Sequence, residues 1–253
     1  MHYLFHLSPE PISKNSVFPL ARGKHNPVIS PWNPSHNITK YLSPLFGFLL
    51  AVCTQTHAQA KDRLPWFLGF GAPDYMEVWV ETADVVDIRE RVFRRAGAGI
   101  ASVRAPADNK GTPAGWPENP GSGAGRDITG ADLPRLIYVR WQSLAEPQTY
   151  EAYILIPELA REIMRKPEKA FCRLDGKWIT DYRDDVGIGL APGGIVKVWL
   201  GGPCLKSVEI ARVEGSVVKQ GPYQGKNEGR YALPLSPESK AYIEKFGIPF
   251  GSW

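Results

Sequence analysis

Two apolar, β-rich runs joined by a four-residue connection constrain the fold of this chain more than any other feature. The runs cover residues 136–144 and 149–156. In the first run Ile137, Val139 and Trp141 alternate with other residues, which is the period-two pattern of a strand. A connection of this length joins antiparallel neighbours. The segment therefore predicts an antiparallel β-hairpin.

Further β-rich runs, separated by glycine and proline, predict additional strands. They cover residues 75–86, 170–180, 186–190, 195–200 and 207–218, of which 170–180 turns back on itself at Asp175 and Gly176. Two short helices are also predicted. One covers residues 157–166, and the other follows Ser236 as N-cap and ends at Gly247. We therefore predict a mainly β (α+β) fold, an antiparallel sheet or β-sandwich with two short helices, in a single domain.

Residues 42–60 have the order of a secretory signal. Lys40 precedes the apolar run 45–53, and the segment ends at Ala60 in a small-x-small triplet of the kind that signal peptidase recognises. The apolar run is shorter than the roughly 20 residues that a membrane-spanning helix needs. We therefore expect a leader over residues 1–60, cleaved near Ala60, and a mature periplasmic domain over residues 61–253. A buried hydrophobic helix is the alternative interpretation.

The leader has two unusual features. Residues 1–40 lack the form of a short signal n-region, and we expect the true start codon to lie downstream, near residues 28–42. Cys53 follows a segment similar to a lipoprotein cleavage box, although Val52 stands where a small residue is usual. Lipidation of Cys53 would attach the product to a membrane. We favour cleavage near Ala60 and a soluble product.

The charge of residues 61–253 does not indicate a nucleic-acid partner. The whole chain has 30 Lys and Arg against 26 Asp and Glu, but residues 1–60 hold four of the cations and one of the acids, which leaves 26 against 25. Nucleic-acid-binding domains carry a basic patch or a high pI. The remaining sequence does contain seven of the eight tryptophans, and aromatic residues are enriched in protein interfaces.

Cys172 and Cys204 are the cysteines that remain after the leader. In an oxidising compartment two cysteines usually pair, so we predict a disulfide between them. Such a bond closes a loop of about 30 residues and stabilises the fold by roughly 3–4 kcal/mol in the chain-entropy model. Two separately buried thiols are the alternative.

Histidine is confined to the leader, which narrows the possible chemistry. The five histidines are His2, His6, His25, His36 and His57. Residues 61–253 therefore cannot form a Ser-His-Asp or Cys-His catalytic site, an H-E-x-x-H zinc site or a paired-histidine phosphodiesterase site. Glu77 and Glu81 are about 13 Å apart at the usual strand rise, too far for a retaining carboxylate pair. We expect no catalytic residue, no metal and no cofactor.

Two segments are candidates for partner binding. Residues 106–132 are rich in glycine and proline and predict a long loop, with Trp116 either packed on the domain surface or in contact with a partner. The densest acidic segment contains Asp181, Tyr182, Asp184 and Asp185. A solvated turn, a partner-binding patch and a weak calcium site are the interpretations left open for it.

The sequence resembles a bacterial family known as domain of unknown function 2931. Residues 72–87, 133–157 and 169–204 carry the resemblance, which extends over nearly all of residues 61–253. Members of this family look like exported proteins or lipoproteins of Gram-negative bacteria, and some resemble immunity proteins encoded beside type VI secretion effectors that attack phospholipids.

The resemblance implies a periplasmic immunity protein without enzymatic activity. Its partner would be a cognate toxin effector, a phospholipase of the phospholipase D type, whose active site it blocks. A non-enzymatic envelope protein that binds a ligand or has a structural role is the alternative, and a carboxylate-based hydrolase of cell-wall glycan is a third. We expect contact with a membrane only if Cys53 is lipidated.

Overall fold

The computed structural model describes residues 65–118 and 121–253. The described residues belong to one compact unit, Cys53–Trp253. The expected start codon, the cleavage near Ala60 and the lipidation of Cys53 lie outside the described residues. No helix in the part of the chain that the structure describes is long and apolar enough to cross a membrane.

The described residues form twelve strands and two α-helices, and the predicted β-rich runs correspond to nine of these strands. The strands are β1 (Trp66–Gly71), β2 (Val78–Asp87), β3 (Val92–Ile100), β4 (Gly123–Ile128), β5 (Pro134–Ser143), β6 (Gln148–Leu155), β7 (Glu168–Cys172), β8 (Lys177–Asp181), β9 (Asp185–Ala191), β10 (Ile195–Gly202), β11 (Leu205–Glu214) and β12 (Ser216–Val217). The helices are α1 (Glu158–Arg165) and α2 (Pro237–Phe246). The Ser236 side chain caps α2 by accepting from the Ser239 N–H, as predicted.

Two five-stranded sheets form a β-sandwich, as predicted. Sheet I has the order β11-β10-β9-β1-β4, and sheet II has the order β12-β6-β5-β2-β3. Alternate residues of both sheets meet in one core, for example Leu68 and Ile188 of sheet I with Val80 and Ile137 of sheet II, all of them 0% exposed. The period-two pattern produces this arrangement because each strand presents one apolar face.

Three features differ from the sequence-based expectation. β1 pairs with β9 in parallel, so sheet I is mixed rather than antiparallel throughout. The stretch 106–132, predicted to be a loop, contains β4, which pairs with β1 through its backbone and needs no apolar alternation of its own. The run 207–218 is divided at Gly215, because β11 belongs to sheet I and β12 to sheet II.

Glu77 and Glu81 hold the C-terminal segment against sheet II. Glu81 lies at a bulge of β2, its side chain is 1% exposed, and it accepts hydrogen bonds from Arg140, Gln142 and the Tyr223 N–H. Glu77 accepts hydrogen bonds from Ser236. Both carboxylates therefore have structural partners.

Candidate partner-binding site

The hairpin formed by β7 and β8 is a separate two-stranded sheet beside the sandwich. Phe171 and Trp178 are directly opposite each other across the two strands, with ring centroids 5.9 Å apart. Both side chains are exposed, at 48% and 72%, and Leu174 in the turn is 90% exposed. Large apolar side chains grouped on one exposed element mark an interaction surface more often than scattered ones do. We call Phe171, Leu174 and Trp178 the hairpin tip.

Two interactions fix this hairpin to sheet I, one beside the turn, at the end of β7, and one at the base, where β7 begins. Cys172 forms the predicted disulfide with Cys204, in the turn between β10 and β11, with the Cα atoms 5.0 Å apart. Arg183 is buried and forms a paired interaction with Glu168, with Nε–Oε1 2.7 Å and Nη2–Oε2 3.1 Å. The hydrogen bonds from Arg183 lower the pKa of Glu168. The exposed tip is therefore presented on a braced support rather than on a free loop.

The predicted acidic segment follows the hairpin directly. Asp181 ends β8, and Asp185 begins β9 in the middle of sheet I. The carboxylate of Asp181 accepts a hydrogen bond from the Tyr182 N–H at 2.9 Å. Asp184 contributes its backbone carbonyl to β1, where it accepts from Phe67 at 2.8 Å. The structure thus groups Asp181, Tyr182, Asp184 and Asp185 between the hairpin and sheet I.

The acidic residues of this segment repel one another. Burial raises the pKa of Asp184, and the charges of Asp185 and Asp181 raise it further. Burial also raises the pKa of Asp185, with added repulsion from Asp181 and Asp127. Within residues 65–118 and 121–253, no lysine or arginine forms an ion pair with Asp184 or Asp185.

Other buried carboxylates of the sandwich are compensated. The Arg partners are Arg104 for Asp74, Arg91 for Asp87 and Arg140 for Glu81. Because an uncompensated and partly buried charge costs free energy, the acidic segment is a place where a partner could contribute a cation. In the described residues, no group of three histidine, cysteine, aspartate or glutamate side chains could hold a metal ion.

Trp116 lies half-buried on the outer face of sheet I. Its ring makes an edge contact with Trp199, with centroids 5.2 Å apart. A Cβ at Gly189 would lie 2.4 Å from a ring carbon of Trp116, so the absence of a side chain at Gly189 makes room for the ring. Asp185 and Gly189 are four residues apart on β9, which places Trp116 and Asp185 on the same face of sheet I. The structure favours the interpretation that Trp116 packs on the domain surface.

The hairpin tip is the candidate that we did not identify from the sequence. The sequence contained a signal for it, because Phe171, Leu174 and Trp178 flank the turn at Asp175 and Gly176. Apolar residues beside such a turn can face either a core or the solvent. The period-two pattern indicates which residues share a face, but it does not say whether a second layer covers that face.

Comparisons with known proteins identify a family and nothing more specific. The model of a family described as "Protein of unknown function (DUF2931)" matches residues 53–251. No curated protein and no solved structure matches the chain. The match covers the whole sandwich, the hairpin and the acidic segment.

Proposed function

Because this chain belongs to the DUF2931 family, whose description gives no activity, we propose from the site itself that it is a periplasmic immunity protein. In this proposal it binds a type VI secretion phospholipase effector, of the phospholipase D type, and inhibits it by blocking the active site. The hairpin tip is the single observation that carries the proposal. It supplies a compact apolar surface on a rigid support, which is what a protein inhibitor needs to enter a cleft.

The chemistry of the hairpin and its base fits the cleft of a phospholipase. A phospholipid has an apolar chain and an anionic phosphate, so the enzyme's cleft must offer an apolar channel and groups that attract negative charge. The hairpin tip is apolar and exposed, and the neighbouring carboxylates of Asp184 and Asp185 carry uncompensated negative charge. The same two features, side by side, can occupy the cleft in place of the substrate.

The sequence supports a role without catalysis in the compartment where such a toxin acts. Residues 61–253 contain no histidine, and the leader has the order of an export signal. The disulfide between Cys172 and Cys204 is compatible with an exported protein. An inhibitor needs only a stable surface of about 800 Å² on its own side of a standard interface.

Titration calorimetry of the oxidised protein with the product of an adjacent phospholipase-like gene tests this function. We expect a one-to-one complex of nanomolar affinity that stops the hydrolysis of phospholipid vesicles. Trp178→Ala should weaken the complex by about 2 kcal/mol or more, roughly 30-fold, because aromatic residues at an interface centre contribute most of the binding free energy.

Leu159→Ala is the matched control for this substitution. Leu159 is on α1 and is 66% exposed, close to the 72% of Trp178, but it lies outside the hairpin. We expect Leu159→Ala to bind normally. Absence of binding at micromolar concentrations would refute the immunity function and favour an envelope protein that binds another ligand or has a structural role.

A further inference from the structure

A groove of about 450 Å³ runs over the outer face of sheet I, beside the base of the hairpin. Its volume lies within the range of protein ligand sites, about 300–1,000 Å³. Phe67 and Trp199 are its aromatic lining residues, and Asp185 is its carboxylate. Pro203, next to the disulfide-bonded Cys204, also lines it. The groove therefore lies next to the disulfide that joins the hairpin to sheet I.

Glycines let the aromatic rings of this groove lie against the backbone. A Cβ at Gly69 would lie 2.9 Å from a ring carbon of Phe67, and a Cβ at Gly125 would lie 2.6 Å from another. A Cβ at Gly189 would lie 2.7 Å from a ring carbon of Trp199. Side chains at these positions would push the rings away from the sheet. The absence of side chains at these glycines thus leaves room for the aromatic rings that line the groove.

The protein already places a cation against one of these aromatic walls. Lys197 Nζ lies 5.8 Å from the ring centroid of Trp116 and 5.9 Å from that of Trp199. The same Nζ is 3.2 Å from a carboxylate oxygen of Glu209. Two aromatic rings and a carboxylate around one cation form a favourable site, since the ring faces and the carboxylate both attract positive charge.

Like the site around Lys197, the groove combines aromatic rings with a carboxylate, here Phe67, Trp199 and Asp185. Trp199 on β10 lies opposite Gly187 on β9, and Asp185 lies two residues before Gly187 on the same strand. Phe67 pairs directly with Asp185 across β1 and β9. Burial and the charges of Asp181 and Asp127 raise the pKa of Asp185. No side chain in the described ranges 65–118 and 121–253 forms a hydrogen bond or ion pair with the Asp185 carboxylate.

We propose that this groove binds an arginine side chain of the protein partner, with the guanidinium between Phe67 and Trp199 and paired with Asp185. This inference rests on the proposed function, because it assigns the arginine to the effector. Arginine fits better than lysine, since its planar guanidinium can stack on an aromatic ring while it forms a paired interaction with a carboxylate. The groove would add a charged contact beside the apolar contact of the hairpin tip.

Amide and indole NMR spectra of the oxidised protein test the groove without the effector. The probe is N-acetyl-arginine amide, and its neutral analogue is N-acetyl-citrulline amide, which keeps the shape and loses the charge. We expect the arginine probe to give saturable shifts at the Trp199 indole N–H and the Gly187 amide, with at least roughly tenfold weaker binding of the citrulline probe. Asp185→Asn should remove the arginine response.

Glu244→Gln is the control for the loss of one negative charge. Glu244 is an exposed residue of α2, does not line the groove, and is paired only loosely with Lys240 at 3.9 Å. This variant should bind the arginine probe normally. Equal shifts with both probes, shifts that survive Asp185→Asn, or no response at the groove would each overturn the proposed arginine site.

A parallel titration with the effector separates the two proposals. If the effector binds and Asp185→Asn weakens that binding about tenfold, with a smaller dependence on salt, the groove contributes as proposed. If the effector binds but Asp185→Asn has no effect, the groove proposal fails and the immunity function stands. If the effector does not bind while the arginine probe does, the proposed function fails and the assignment of the arginine to the effector fails with it.

Discussion

Replacement of Glu81 by glutamine should reveal how strongly the C-terminal segment depends on one buried charge. The side chain of Glu81 is 1% exposed and that of Arg140 is 15% exposed, and Nε of Arg140 lies 2.5 Å from Oε2 of Glu81. Gln142 and the Tyr223 N–H complete the set of donors. Glu81→Gln keeps the shape but leaves Arg140 without its counter-charge and turns an amide NH₂ toward donors.

We expect this substitution to lower the free energy of unfolding by about 3 kcal/mol, the low end for breaking a buried ion pair. For a domain of this size, about 2–4 °C of melting temperature corresponds to each kcal/mol. The expected decrease is therefore about 6–12 °C, measured by circular dichroism at neutral pH. Urea unfolding gives the free energy itself, and the m-value reports whether unfolding still exposes the same surface.

Glu90→Gln is the matched control because it breaks a similar pair at the surface. Arg135 Nη2 lies 2.7 Å from Oε2 of Glu90, but the two side chains are 42% and 68% exposed. An exposed pair contributes about 0–1 kcal/mol, so this variant should melt within about 4 °C of the native protein. Equal losses in both variants, or a loss below 1 kcal/mol for Glu81→Gln, would refute the argument that burial sets the cost.

Four other perturbations test the remaining structure. Reduction of the Cys172–Cys204 disulfide should lower the free energy of unfolding by about 3–4 kcal/mol for a loop of this length, and an unchanged melting temperature under reductant would contradict this. Gly189→Ala places a methyl group 2.4 Å from the overlying tryptophan ring and should cost about 1–3 kcal/mol in urea unfolding; an unchanged midpoint would show that the ring moves freely. Asp185→Asn should stabilise the protein at pH 7, because burial and neighbouring charges make the ionised carboxylate unfavourable in the folded state and raise its pKa. The gain in the free energy of unfolding should shrink as the pH falls toward 3.8, the ordinary pKa of aspartate. Asp87→Asn should instead destabilise the protein at pH 7, because burial raises the pKa of Asp87 but its hydrogen bonds outweigh burial and lower it. This loss of stability should shrink below pH 3.8. A change of stability in the same direction for both aspartate variants would contradict the pKa directions.

Local pattern was enough to predict most strands and both helices. The hairpin of β5 and β6 follows from two β-rich runs on either side of a short connection, and that of β7 and β8 follows from the turn at Asp175 and Gly176 between two short strands. Helix α2 follows from the N-cap serine and from proline in the first turn. These features depend on residues close together in the chain, so a local pattern contains the information.

Pairings between distant segments could not be predicted in this way. β4 has the sequence GAGRDI and no apolar alternation, yet it forms the edge of sheet I because β1 offers it a free backbone edge. The parallel pairing of β1 with β9 joins residues more than a hundred positions apart. Backbone hydrogen bonds impose little demand on side-chain type, so the sequence of β4 shows no trace of its partner.

In the candidate site, too, some features follow from the local sequence and others depend on contacts between distant segments. The sequence by itself determined which residues carry apolar, aromatic and acidic groups, that Cys172 and Cys204 could pair, and that no histidine follows His57. Only the tertiary structure decided that Phe171 and Trp178 face outward, and that Asp185 of β9 lies opposite Phe67 of the neighbouring strand β1. The physical reason is that exposure and charge compensation depend on which distant segment lies opposite a residue. A sequence records the groups, and the packing of the sheets decides which of them remain without a partner.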